Sequence, residues 1–143
     1  MSRVEELWLM HEAPYWDGMY RADGSARDAE VDSPALSWLD LGASFDIDAM
    51  LAEDPEYLTG IDIHPDGLAE LPDGSGYVCC GEGTLGADGF FARLDRDRNL
   101  IWLVSLTNSN PFVRATAAGS LASFTNNLGN TLTIDLGDPD FAA

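Results

Sequence analysis

Apolar and polar residues alternate most cleanly near the C-terminal end of the chain. There Leu132, Ile134 and Leu136 are set against Thr131, Thr133 and Asp135, the period-two pattern of a strand with one buried and one wet face. Leu100-Ile101-Trp102-Leu103-Val104 is instead apolar at every position, which predicts a central strand covered on both faces. Further β-rich runs lie at Gly60–His64, Leu68–Leu71, Gly76–Cys80, Phe90–Asp95 and Leu121–Asn126. Asp-Gly steps at 17–18, 23–24, 66–67, 73–74 and 88–89 punctuate the chain, and such steps are strong turn signals. The second half therefore reads as an antiparallel meander of short strands.

A helical cover for that sheet is expected between Ser33 and Leu58. Ser33-Pro34 supplies an N-cap and a proline at the first helical position, and Gly42 stops a first short helical turn. Ser44 or Asp46 then caps a second helix, whose Ile47, Met50 and Leu51 recur at i, i+3 and i+4. Asp46 and Asp48 suit the positive end of its dipole, and Asp54-Pro55 ends it and opens another short turn. The pattern predicts an α+β fold, a mainly antiparallel sheet (meander) with one or two short helices packed on one face. No internal repeat or linker divides the chain, so residues 1–143 are read as one acidic domain.

Charge changes this picture more than any other feature. The chain has no lysine, and its 7 basic residues, all arginine, face 25 carboxylates, for a net charge of -18. Yet 45% of the residues are hydrophobic, too many for a disordered acidic tail. Self-repulsion of this size persists where a basic partner, a cation or high salt rewards it. Scattered arginines offer no basic patch for phosphates, which argues against direct nucleic-acid binding. The four-residue apolar patch Leu7–Met10 falls far short of a signal core or a membrane span, so a cytoplasmic location with no membrane contact is expected.

Few residues point to chemistry. Cys79 and Cys80 are adjacent on a strand, so their side chains should face opposite ways as core fillers. Gly81, Gly83 and Gly86 match Gly-x-Gly-x-x-Gly, but a strand at Gly89-Phe90-Phe91 follows where a phosphate-binding helix would be needed. They read as a glycine-rich loop, and no cofactor is expected. His64-Pro65-Asp66-Gly67 reads as a β-turn, and a metal site would need His11 beside His64 and Asp62. Asp95-Arg96-Asp97-Arg98-Asn99 lacks the glycine and glutamate of a calcium loop and reads as a hairpin turn whose arginines relieve carboxylate repulsion. Nothing singles out a catalytic pair among the carboxylates. The asparagine-rich segments 107–112 and 126–130 would form a polar rim if they met at one sheet end, or would simply supply turn residues.

The run Gly81–Asp95, followed by Leu100-Ile101-Trp102 and Ser109-Asn110-Pro111-Phe112, resembles the small immunity proteins encoded beside bacterial polymorphic and contact-dependent toxins. The likeness spans about residues 76–112 and is a pattern of loops and strands without catalytic residues. It implies a cytoplasmic bacterial protein that binds and blocks one cognate toxin, often a basic nuclease. The acidity independently suits a non-enzymatic inhibitor docking on a basic protein. Expected contacts are Trp16, Asp17, Glu82, Asn108 and Asn110, loop positions outside the expected core. The competing readings are a halophile-type acidic domain without a charge-selected partner and a small metal-binding enzyme using His11 and His64.

Overall fold

The computed structural model describes all 143 residues. In chain order the elements are α1 (Arg3–Leu9), β1 (Glu12–Pro14), β2 (Gly18–Arg21), β3 (Ala26–Val31), β4 (Leu39–Phe45), α2 (Ile47–Glu53), β5 (Leu58–Glu70), β6 (Gly76–Gly83), β7 (Gly89–Asp95), β8 (Leu100–Leu106), β9 (Phe112–Ala118), β10 (Leu121–Asn126) and β11 (Thr131–Asp135). Eight strands form one sheet in the order β1-β5-β6-β7-β8-β2-β3-β4, and β11-β10-β9 form a second. All pairings are antiparallel. The fold is α+β, as the pattern predicts, but the strands divide between two sheets.

Chain length forces the large sheet to curl. Four strands separate β1 from β2, which in a flat sheet would set them about 24 Å apart at ~4.8 Å per step. The link from Pro14 to Gly18 reaches about 14 Å at full extension. Closure brings β8 against β1, where the Ser105 hydroxyl donates to the Pro14 carbonyl at 2.7 Å. Curling gives the sheet two unlike faces, each with its own core.

Period-two alternation sorts residues between them. Tyr20, Cys79, Phe90, Ala92 and Leu103 enter one cluster with Val4 and Leu7 of α1 and Ile47 and Leu51 of α2. Met19, Val78, Cys80, Phe91, Trp102 and Val104 enter the other, closed by Phe112, Phe124, Leu132 and Ile134 of the small sheet. Phe91 anchors that second core, stacked on Phe124 at 4.4 Å and edge-on to Trp102 and Phe112. Leu100–Val104 is thus covered on both sides, and β11 buries Leu132 and Ile134 while exposing its threonines. Cys79 and Cys80 face opposite cores, both buried. No helix is long and apolar enough to cross a membrane.

The helices show which local signals suffice. Asp46 caps α2 by accepting the Asp48 and Ala49 N–H groups, as its position predicts. α1 is an addition to the sequence reading. Ser2 and Glu5 form a reciprocal capping box, a signature written as Ser-x-x-Glu. The expected helical turn from Ser33 to Gly42 does not form. Asp32 instead draws the Ser37 and Trp38 N–H groups onto its carboxylate, and the chain then runs as β4, with Leu39 and Leu41 packed at period two against the core.

His64–Gly67 is likewise no chain reversal. It is a bulge inside β5, where five steps from Ile63 to Leu68 match two along β6 from Gly81 to Cys79. β1 to β4 and β9 were not among the expected strands, and β9 begins where the asparagine-proline loop ends.

Candidate functional site

Strand register gathers the expected contact residues at one end of the large sheet. Glu82 lies opposite Gly89, Gly89 opposite Leu106, and Ser105 opposite Gly18. The β1–β2 and β8–β9 loops, which carry Trp16, Asp17, Asn108 and Asn110, therefore share a rim with the end of β6, where Glu82 is a paired strand residue and not the expected loop residue. The Asn110 N–H donates to the Ala87 carbonyl at 2.8 Å, joining the β8–β9 loop to the β6–β7 loop. Asp17 accepts the Thr107 N–H at 2.6 Å, beside exposed Asn108. Glu82 is exposed, and no hydrogen bond or ion pair links it to the other four.

The two asparagine-rich loops do meet, through the Asn110 amide donating to Asn127 Oδ1 at 3.2 Å. Asn110 takes the left-handed backbone with φ 61°, a conformation asparagine tolerates. The residue that organises this corner is Asn126. Buried to 1% exposure, it donates to the Pro34 and Ser109 carbonyls and accepts the Leu128 and Asn130 N–H groups. With its hydrogen-bonding capacity filled, Asn126 is a fastener, and its loops form a stiff part of the rim.

The most distinctive part of the rim lies beside β2. Trp16 and Tyr57 remain 41% and 37% exposed, with ring centroids 6.1 Å apart and planes tilted by 56°. Two grooves share Trp16, Tyr57 and Asp28 as a common wall. One, of about 500 Å³, runs over Tyr15, Asp17, Glu30 and Thr107. The other, of about 300 Å³, follows α2 past Phe45, Asp46, Met50, Glu53 and Asp54. Trp16 is fixed by its indole N–H donating to Asp28 Oδ1 at 2.9 Å and by its carbonyl accepting the Tyr20 hydroxyl at 2.8 Å. Burial, and then the charges of Asp17 and Asp28, push the Tyr20 hydroxyl far above its ordinary pKa. No arginine or histidine lines either groove. The ion pairs of the molecule, Arg3–Glu6 and Arg27–Asp140, lie elsewhere. Sequence reading found Trp16 and missed Tyr57, which follows Asp-Pro-Glu in an apparent turn.

Gly81 and Gly83 leave no space for a side chain, facing the Asp62 carbonyl and the Asp88 carboxylate respectively. Strand packing thus explains these two glycines, and the left-handed backbone of the turn, φ 105°, explains Gly86, with β7 and not a helix after it. His11 is drawn towards β5, its carbonyl accepting the Ile61 N–H, while His64 Nδ1 accepts the Asp66 N–H inside the bulge. No group of three or more His, Cys, Asp or Glu side chains is arranged to hold a metal ion. Burial raises both thiols, Cys80 to about 12, which keeps them protonated and unreactive near neutral pH.

At the opposite end of the sheet, aspartates serve the turns. Asp23, Asp73 and Asp95 accept N–H groups of their own hairpins. The Asp95–Asn99 segment is the expected hairpin turn, but its arginines form no ion pair, and Arg98 lies 4.9 Å from the centre of the Tyr77 ring. Three other arginines hold residues 140–142. Arg21 donates to the Asp140 and Ala142 carbonyls, Arg27 to the Asp140 carboxylate, and Arg93 to the Phe141 carbonyl, which also accepts the Trp102 indole N–H. No protein-family model, curated protein or solved structure matches this chain.

Proposed function

We propose that this chain is a binding protein that neutralises a basic protein one to one, in the manner of the immunity proteins its residues 76–112 resemble, with a toxin domain as the partner and the cytoplasm as its place of work. The observation that carries this reading is the exposed Trp16–Tyr57 pair set among carboxylates that no cation neutralises. Aromatic anchors supply affinity at protein interfaces, and surrounding charge steers the encounter. Asn108, Asn110 and Glu82 extend the contact along the same rim, held to a fixed shape by the Asn126 corner.

The test is capture of the tagged protein's partner from cells of its source at low ionic strength, with elution by rising salt. The expected result is a single basic protein, recovered near one to one, whose toxicity or enzymatic activity the chain abolishes on mixing. A captured protein whose activity is untouched, or capture unaltered by Trp16→Ala, would count against the reading.

Adaptation to high salt has its own support in the distribution of acidic side chains over both ends of the sheet, with ion pairs at only two places. Under that reading the melting temperature climbs steeply through molar KCl, as repulsion is screened. A partner-driven surface responds modestly.

A further inference from the structure

Building on that reading, we propose that the two grooves flanking Trp16 and Tyr57 each receive an arginine side chain from a basic segment of the partner, laid across the aromatic pair. Four observations converge on this occupant. The grooves are open and adjoin along one wall, so a single chain crossing Trp16 and Tyr57 has a groove on either side. Each groove combines an aromatic face with carboxylates: Asp17 and Glu30 in one, Asp46, Glu53 and Asp54 in the other, and Asp28 in both. No basic side chain of the protein itself reaches them. Asp28 already orients the Trp16 ring through one carboxylate oxygen, and its second oxygen makes no hydrogen bond within the protein.

Arginine fits this chemistry better than lysine. Its guanidinium is flat, so it lies against an indole or phenol face while its edge donates in pairs to a carboxylate. It is also more weakly hydrated than an ammonium group and loses less on leaving water. The molecule makes one such contact internally, with Arg98 over Tyr77. Because Trp16 is already locked by Asp28 and Tyr20, little ordering is needed on binding.

The experiment titrates two peptides of equal length and charge, Gly-spaced hexa-arginine and Gly-spaced hexa-lysine, into the full chain by calorimetry at low ionic strength. The same titrations are run on Trp16→Ala, Tyr57→Ala and, as a control, Trp38→Ala, which removes an exposed tryptophan from a different groove. Circular dichroism and melting confirm that each variant is folded. The arginine peptide should bind the wild type at least fivefold more tightly than the lysine peptide. Trp16→Ala and Tyr57→Ala should each weaken the arginine peptide about tenfold and erase the preference, while Trp38→Ala leaves it intact. The indole N–H resonance of Trp16 should shift with the arginine peptide.

Equal affinity for the two peptides, or equal losses in Trp16→Ala and Trp38→Ala, would overturn the proposal and leave only unspecific attraction to the acidic surface. That failure is distinct from failure of the inhibitor reading. A neutralised basic partner combined with no arginine preference keeps the function and moves the contact. Arginine preference with no neutralised partner keeps the grooves and removes the function.

Discussion

The two ends of the curled sheet carry the same kind of charge and put it to different use. At one end Asp23, Asp73 and Asp95 turn inward on their own hairpins, and Arg21, Arg27 and Arg93 hold residues 140–142 by hydrogen bonds. At the other, Glu30, Glu53 and their neighbours surround Trp16 and Tyr57 with no cation nearby. Net charge alone does not distinguish the two. Part of the aspartate excess is turn chemistry, since a carboxylate two residues before an N–H satisfies it locally. Only the part left unpaired around exposed aromatic rings asks for a partner.

The sharpest way to test that contrast is to damage each end separately. Arg93→Ala removes a buried side chain and one of two donors to the Phe141 carbonyl. A charged hydrogen bond of this kind contributes about 2 kcal/mol. Urea unfolding should record a loss of that order, with partner affinity unchanged in the folded fraction. Trp16→Ala should do the reverse. A loss of about 2 kcal/mol in binding is expected of an interface anchor, with the urea midpoint nearly unmoved because the structural bonds at Trp16 use its carbonyl and the edge of an exposed ring.

Asp46 serves both ends of the comparison, since it caps α2 and lines a groove. Asp46→Ala should therefore lose about 1 kcal/mol of stability as a cap as well as slowing association. Asp46→Asn retains the cap, because asparagine and aspartate are near equals there, and should slow association alone. Stopped-flow binding beside urea melts separates the two.

The smallest effect concerns acid. The Ser25 hydroxyl lowers Asp23, and the Asn99 N–H lowers Asp95, below the ordinary 3.8. A depressed carboxylate stabilises the fold above its unfolded pKa and loses that contribution as pH falls through the folded value. The double variant Asp23→Asn, Asp95→Asn should thus melt slightly below the wild type at pH 7, and the two curves should converge below about pH 4.

How much of this was written in the sequence depends on how local the signal is. Leu132 and Ile134, the Cys79–Cys80 pair and the Asp46 cap each declare themselves within a few residues, and each took the expected place. The strands β1 to β3 are short or mostly exposed, so no apolar period marks them; β1 and β2 form because β5 and β8 offer edges to pair with. Leu39 and Leu41 alternate, but the Ser-Pro start nearby suggested a helix. The rim was half legible. An aromatic pair followed by Asp-Gly, at Tyr15-Trp16-Asp17-Gly18, points to an exposed turn, whereas Tyr57 joins Trp16 only through the long-range pairing of β1 with β5, which the Tyr15 N–H extends by donating to the Tyr57 carbonyl.

That curl also governs how the chain reaches its final form. Gly18 lies against Ser105 and Glu12 against Gly60, so the N-terminal strands dock on edges formed by residues far along the chain. Long loops must close before such contacts are rewarded, and folding dominated by them takes about milliseconds to seconds. The β5–β8 hairpins, local in sequence, are the natural first structure. On that order of events the aromatic rim assembles late, as β1 and β2 come to rest on opposite sides of a sheet already made, and a chain halted before that step would hold its hairpins yet have no surface to offer a partner.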